Sequence, residues 1–256
     1  MRRKISVVII CKNEEHIIGT TLKSVQGIAD EIVVYDSGST DNTVPVIRAS
    51  GARLIEGPWE GYGKTKQLAI AAAANDWILN IDADEVLDEP LQKAIDALTL
   101  DDEKVVYAAR FRNYLGPVCL KWGEFGFGQH IRLFNRRAVN MNDSRVHERL
   151  EMPAGTRRVL LPGHILHYTM KDTREFVNKS VQYALLNAEQ YHSKGKKASW
   201  VKQYLAPPFT FIKYYFFRLG FLDGWGVLFS ARMASLYTYV KYARLHELHI
   251  TSGKKS

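Results

Sequence analysis

Trp77-Ile78-Leu79-Asn80-Ile81-Asp82-Ala83-Asp84-Glu85 is the stretch on which the fold turns. Its first six residues read as a buried strand, which then breaks into acid. Two earlier stretches have the same form. Ile5-Ser6-Val7-Val8-Ile9-Ile10 is a β-branched run with no two-residue period, as expected of a strand covered on both faces. It stops at Lys12-Asn13-Glu14-Glu15. Glu31-Ile32-Val33-Val34-Tyr35-Asp36 stops at the turn-rich Ser37-Gly38-Ser39-Thr40-Asp41. Helical patterns lie between them: Glu15–Val25, a segment capped by Asp41 or Thr40 and running to about Ser50, and the Ala-rich Lys64–Ala74. Arg53–Glu56 completes the set as a short strand. Strands and helices that alternate in this way predict a parallel sheet with right-handed crossovers. Ligands of such sheets bind beyond the carboxyl ends of the strands, so the polar strand ends place a site on one edge.

Beyond residue 100 the pattern changes. Val105–Arg112 and His130–Phe134 read as antiparallel additions, with a Gly- and aromatic-rich binding loop, Gly116–Gly128, between them. From Thr173 onward the spacing is helical, with Phe176, Val177, Val181, Tyr183, Ala184 and Leu185 expected on one face. The predicted division is a catalytic domain over 1–170 and a helical region over 171–256. The chain has 256 residues and a net charge of +8, and the charge is concentrated in the tail. From Ser193 onward, eleven Lys and Arg face only Asp223 and Glu247, and the same segment holds 14 of the 29 aromatics. Cys11 and Cys119 have no metal-ligand or disulfide spacing, which points to a reducing compartment. No apolar stretch is long enough to predict a membrane-spanning helix.

Asp82 and Asp84 stand two apart at a strand end, where extended geometry would point both the same way. Adjacent carboxylates repel unless a cation separates them, and oxygen ligands in small number suit Mg²⁺ or Mn²⁺ that also holds a diphosphate. The competing reading is a helix N-terminus, since Asp84, Glu85 and Asp88 precede a helix near Pro90.

Three motifs occur in order: Ile9-Ile10-Cys11-Lys12-Asn13-Glu14-Glu15, then Val33 to Thr43, then Ile78 to Glu85. Together they resemble the family 2 glycosyltransferases of GT-A fold, a Rossmann-like, mainly parallel sheet flanked by helices. The resemblance implies transfer of a sugar from a nucleotide sugar. It puts Asn13, Glu14 and Asp36 in the nucleotide pocket, Lys66 against the nucleotide, and Asp82 and Asp84 on ribose and on Mn²⁺ or Mg²⁺. Taken singly, Asp36 also reads as a turn-forming Asp, and Lys66 as a solvated helix lysine.

A general base must be a carboxylate or histidine within reach of the acceptor hydroxyl. Val146-His147-Glu148-Arg149 is similar to the Val-His-Glu motif of the lipopolysaccharide-core β-glucosyltransferase branch, which implies Glu148 as that base. Alone, Glu148 reads as a surface acid paired with Arg149. His167 is implied as a further metal ligand, with a structural histidine as the alternative. The resemblance continues through Tyr214–Gly224 and Val240–Leu245. It departs at Gly116–Gly128 and at Gln129-His130, which bear on sugar and acceptor choice. The Gln-x-x-Arg-Trp motif of processive synthases is absent, which favours addition of one sugar per encounter.

The expected activity is therefore an inverting, metal-dependent hexosyl transfer. A UDP-sugar, UDP-glucose for preference, is the donor, and a lipopolysaccharide-core or other lipid-linked glycan is the acceptor. The basic aromatic tail reads as a helical cap, a nucleic-acid surface or a membrane-associating extension. A lipid-linked acceptor favours the last, with the anionic cytoplasmic face of the inner membrane as partner and no nucleic acid. A nucleotidyltransferase is a rival reading, but it needs a Gly-rich pyrophosphate loop where Lys12-Asn13-Glu14-Glu15 stands. A basic RNA- or membrane-binding adaptor is another, and it leaves the acidic strand ends without a use.

Overall fold

The first strand, β1 (Ile5–Cys11), is buried along its whole length. Ile5, Val7, Ile9 and Cys11 enter one apolar cluster, and Val8 and Ile10 enter another. Successive side chains of a strand alternate between faces, so a strand with a core on each face carries no polar stripe. That is why the sequence shows no period there. The structure, a computed structural model, describes residues 4–126, 128–141 and 150–253.

Parallel strands β2 (Glu31–Asp36), β3 (Arg53–Glu56) and β4 (Trp77–Asp82) join β1, and α1 (Ile18–Val25), α2 (Thr43–Ala49) and α3 (Tyr62–Ala72) connect them. Pairing of Cys11 with Asp36, and of Ile10 with Asp82, brings the three polar strand ends to one sheet edge. Helix α1 starts at Ile18, after a turn in which Ile17 and Ile18 N–H donate to Glu14 C=O at 3.1 and 2.9 Å.

The chain continues through β5 (Glu85–Leu87), α4 (Glu89–Asp96), β6 (Val105–Leu115), β7 (Val118–Leu120), β8 (Gln129–Asn135), β9 (Asn140–Met141), β10 (Leu150–Glu151) and β11 (Arg157–Met170). The large sheet runs β3-β2-β1-β4-β8-β6-β11-β5, with β7 paired to β6. Strand β8 is antiparallel to both β4 and β6, as expected of Val105–Arg112 and His130–Phe134. The helix N-cap in the acidic region is Asp88, whose Oδ1 accepts from Leu91 N–H at 3.0 Å. Glu85 is instead a strand residue, so the helix-terminus reading does not account for Asp82 or Asp84.

Residues 1–111 with 128–167 form one compact unit, and 112–127 with 168–256 form a second. In the second, α5 (Thr173–Ser193) and α8 (Gly224–Thr251) are the long helices, preceded in the case of α8 by α6 (Trp200–Tyr204) and α7 (Ala206–Ile212). Its core gathers Leu115, Leu120, Phe176, Val227 and Met233. Asp172 caps α5 through Glu175 N–H at 2.8 Å. The face expected for α5 is only partly the buried one. Phe176, Ala184 and Ala188 are buried, whereas Tyr183 and Leu185 are exposed. Residues 183 and 185 lie about 100° to either side of 184, so all three cannot share a narrow stripe.

Candidate functional site

The carboxyl ends of β1 and β2 are tied together by their following loops. Asn13 adopts a left-handed backbone (φ 57°), and its N–H donates to Ser39 Oγ at 2.8 Å. Its Oδ1 accepts from Thr40 N–H at 2.7 Å. Glu14 N–H donates to Thr43 Oγ1 at 2.7 Å, and Glu15 accepts from Asn42 N–H at 2.9 Å. Asp36 is buried, and its Oδ2 accepts from Gly38 and Ser39 N–H at 2.9 and 2.8 Å. Ser39 Oγ and Cys11 Sγ reach its other oxygen. Burial and the neighbouring Asp36 carboxylate push the Cys11 thiol far above its ordinary value, which keeps it protonated. In this arrangement Asp36 orders its own loop, and Asn13 presents the exposed edge of the joined loops.

The end of β4 carries the main charge cluster. Lys66, on the second turn of α3, has a side chain only 3% exposed, and its Nζ lies 2.8 Å from Asp82 Oδ1. It is not a solvated helix lysine. Arg132 of β8 reaches Asp82 Oδ2 at 3.4 Å from the other side. Burial works against the Asp82 charge, but Lys66 and then Arg132 outweigh it and hold the carboxyl well below the usual range. Glu85 is fully buried behind this pair. The Arg132 guanidinium grips it with two N–H groups, the Nε–H at 2.8 Å and an NH2 contact, in the fork geometry that suits carboxylates. Asp82 N–H also donates to Glu85, at 3.2 Å. Burial raises the Glu85 pKa, opposed by Arg132 and reinforced by Asp82.

The chain turns at Ala83-Asp84, and Thr21 Oγ1 pins the turn by donating to Ala83 C=O at 2.7 Å. The extended geometry expected of the triplet therefore ends at Asp82, and the two aspartates have different partners. Register does the rest. Strand β5 pairs with β11, setting Glu85 opposite His167, so the adjacent Asp84 meets that histidine. His167 Nε2 lies 3.3 Å from Asp84 Oδ2. Burial disfavours imidazolium, yet the Asp84 bond and the charges of Asp84, Glu85 and Asp82 prevail and raise the His167 pKa. Phe111 of β6 braces the group. Its ring meets His167 edge-on at 5.7 Å and His130 at 4.7 Å, and the Arg132 guanidinium lies 5.2 Å from its centroid.

Of the residues singled out in sequence, Lys66, Asp82, Asp84 and His167 converge at this one place. Asn13 and Glu14, on the loop after β1, and Asp36, at the end of β2, lie at the same sheet edge. Glu148 lies outside the described residues. Arg132, Glu85 and Phe111 are additions, and Arg132 had a signal: a basic residue between the apolar Ile131 and Leu133 of a strand, which must find a carboxylate if it is not to face solvent.

Asp84 and His167 offer one carboxylate oxygen and one imidazole nitrogen at a partly exposed position, a donor pair that fits Mn²⁺ and, less closely, Mg²⁺. Among the described residues, no set of three His, Cys, Asp or Glu converges as metal ligands. A divalent ion here would take most of its shell from a ligand and water.

Residues 6–162 match the model of glycosyl transferase family 2. An uncharacterized glycosyltransferase of Rickettsia typhi is 32% identical over 98% of this chain and 89% of its own. The lipopolysaccharide core biosynthesis glycosyltransferase LpsC of Rhizobium meliloti is 30% identical over 98% and 94%. Glucosyl-3-phosphoglycerate synthase from Mycobacterium tuberculosis, in a structure with Mn²⁺ and UDP-glucose, is 29% identical over 44% of each chain with a TM-score of 0.35. A four-stranded parallel half, antiparallel additions and an acidic end to the fourth strand are the GT-A arrangement, and with a family match covering most of that sheet the chain belongs to glycosyl transferase family 2.

Proposed function

We propose that this enzyme is an inverting, non-processive hexosyltransferase that uses a UDP-sugar, UDP-glucose for preference, to extend a lipopolysaccharide-core or other lipid-linked glycan. The observation that carries the reading is the division of labour at the end of β4. One carboxylate, Asp82, is clamped by two cations, while its neighbour but one, Asp84, faces His167. Lys66 and Arg132 fix Asp82 in its ionised form, ready to accept from ribose hydroxyls. Asp84 and His167 are the residues that would hold Mn²⁺ or Mg²⁺, which when bound neutralises charge on the leaving diphosphate. Asn13 and Glu14 present the loop edge for the nucleotide. For Asp36 to reach the base or ribose, it would exchange one of its loop hydrogen bonds for the ligand.

Glu148 is assigned the acceptor proton. As the acceptor oxygen bonds to the anomeric carbon from the face opposite UDP, the bond to the diphosphate oxygen breaks. The hydroxyl proton passes to Glu148, and UDP departs. The full-length similarity to LpsC supports a lipopolysaccharide-core acceptor.

A panel of nucleotide sugars with Mn²⁺, scored by donor hydrolysis and by protection against thermal unfolding, tests the reading. UDP-hexoses are expected to register and GDP- or CMP-sugars to fail. If no nucleotide sugar registers, the transferase assignment falls.

A further inference from the structure

Among the described residues, 22 large hydrophobic side chains are exposed, and twelve of them lie between Trp200 and Trp225, a tenth of the chain. Phe217 is 74% exposed, Trp200 69% and Phe209 59%. Concentrated apolar exposure of this kind marks an interaction surface. It is continuous rather than scattered: Phe211 stacks on Tyr215 at 5.3 Å, Tyr215 meets Phe216 at 5.1 Å, and Phe221 lies 6.4 Å from Tyr215.

The backbone holds this surface in place without forming a spanning element. Helices α6 and α7 are short, Lys213–Phe217 winds as a π-helix, Leu219 turns left-handed (φ 55°), and Gly220–Asp223 is a 3-10 turn. The inner side is fastened to α8. Pro207 is buried and its carbonyl accepts from Ser235 Oγ at 2.9 Å, and Thr210 and Thr238 hydroxyls meet at 3.4 Å. No helix among the described residues is long and apolar enough to cross a membrane.

Charge decides the partner. Lys202, Lys213 and Arg218 are exposed among the aromatics. The one acid within the segment, Asp223, spends its carboxylate on the backbone N–H groups of Lys121 and Trp122. Glu124, outside the segment, faces Arg218 and Lys213 and offsets part of their charge, so the segment keeps an excess of cations. Aromatics beside such an excess suit the headgroup region of an anionic bilayer, where rings sit at the interface and cations reach phosphate. We propose that Trp200–Trp225 lies in the plane of an anionic lipid surface, inserting its aromatic side chains while Lys202, Lys213 and Arg218 contact lipid phosphates. The inference goes beyond the transfer reaction and stands independently of donor and acceptor.

The test is co-sedimentation of the full chain with unilamellar vesicles of phosphatidylcholine, with and without phosphatidylglycerol, together with tryptophan quenching by brominated acyl chains. Binding is expected only with phosphatidylglycerol present, and it is expected to weaken with salt. The F209S/F217S/L222S variant is expected to lose at least about tenfold in partitioning with an unchanged melting temperature, and K213E/R218E to lose a similar amount. The W200F/W225F variant is expected to bind but to lose most of the quenching. Equal binding by the wild type and the triple serine variant would overturn the proposal. So would RNA binding without vesicle binding, or a lipid-independent dimer that the serine variant disperses, which would make a second copy the occupant.

Discussion

Arg132→Met removes the guanidinium from Glu85 while leaving a side chain of similar length over Phe111. Glu85 is fully buried, so its carboxylate loses its only charge-bearing fork among the contacts described and keeps the Asp82 N–H. Removing one partner of a buried pair costs about 3–5 kcal/mol when the other stays ionised. Glu85 has an escape: it can take a proton. Its pKa is already raised by burial against the opposition of Arg132, and loss of that opposition pushes it higher. The folded variant then holds a proton that the unfolded chain, with a glutamate near 4.5, releases. Raising the pH through that interval therefore removes stability, at up to about 1.4 kcal/mol per unit, and the loss levels off above the folded-state pKa. Urea unfolding at pH 6 and pH 8 reads this directly. The variant is expected to lose about 3–5 kcal/mol relative to wild type at pH 8 and distinctly less at pH 6. Adding Glu85→Gln is expected to restore about 2 kcal/mol or more at pH 8 and to remove the Glu85 part of the pH dependence, leaving that of His167, since the amide needs no counter-ion. A loss under about 1 kcal/mol at both pH values would refute the reasoning, because such small costs belong to exposed pairs. A loss that the second substitution leaves untouched would refute it as well.

Two further outcomes follow from individual contacts, and a third from the proposed base. Glu31 accepts from Ser6 Oγ at 2.6 Å and Ala74 N–H at 2.7 Å and pairs with Arg53 at 3.0 Å. Burial opposes its charge, but these partners win and lower its pKa. Its contribution is therefore present above the ordinary value of 4.5 and lost as the pH falls below it. Glu31→Gln is expected to lower the melting temperature at pH 7 and to narrow its gap to wild type in acid, and a gap constant from pH 7 to pH 3 would contradict this. Gly163 has φ 89°, and a Cβ there would stand 2.3 Å from Leu91 N and 2.6 Å from Asp88 Oδ1. Gly163→Ala is expected to cost about 2–4 kcal/mol by displacing the start of α4, and a change below about 0.5 kcal/mol in chemical denaturation would show the site can relax. Glu148→Gln is expected to lower kcat by about a hundredfold or more while leaving the donor KM nearly unchanged, whereas an unaltered kcat would remove Glu148 from the mechanism.

The parallel half of the sheet was legible because β1, β2 and β4 are buried on both faces, which writes unbroken apolar runs into the sequence, and because each ends in polar residues. The antiparallel strands were visible as runs, but their order was not, since pairing of β8 between β4 and β6 is a long-range choice that no local pattern encodes. Lys66 shows the same boundary within the site. Its position in an Ala-rich helix looks solvated, and only the packing of α3 against the sheet turns it towards Asp82. Glu85 on β5 and Arg132 on β8 are 47 positions apart, and their bond is a long-range contact that no local pattern encodes. His167 reaches Asp84 through the β5–β11 register, and β5, at three residues, is too short to carry a periodic signal. The misjudged face of α5 arose because helical spacing identifies an apolar stripe without saying how wide the contact is.

The central claim, that the end of β4 handles a nucleotide diphosphate together with a divalent ion, is tested most directly by calorimetric titration of UDP into the wild type and Asp84→Asn, each with and without Mn²⁺. The account predicts UDP binding that strengthens at least about tenfold with Mn²⁺ in the wild type and loses that gain in Asp84→Asn, with the fold intact. UDP affinity that is indifferent to the metal in the wild type, or a metal-dependent gain that survives in Asp84→Asn, would contradict it.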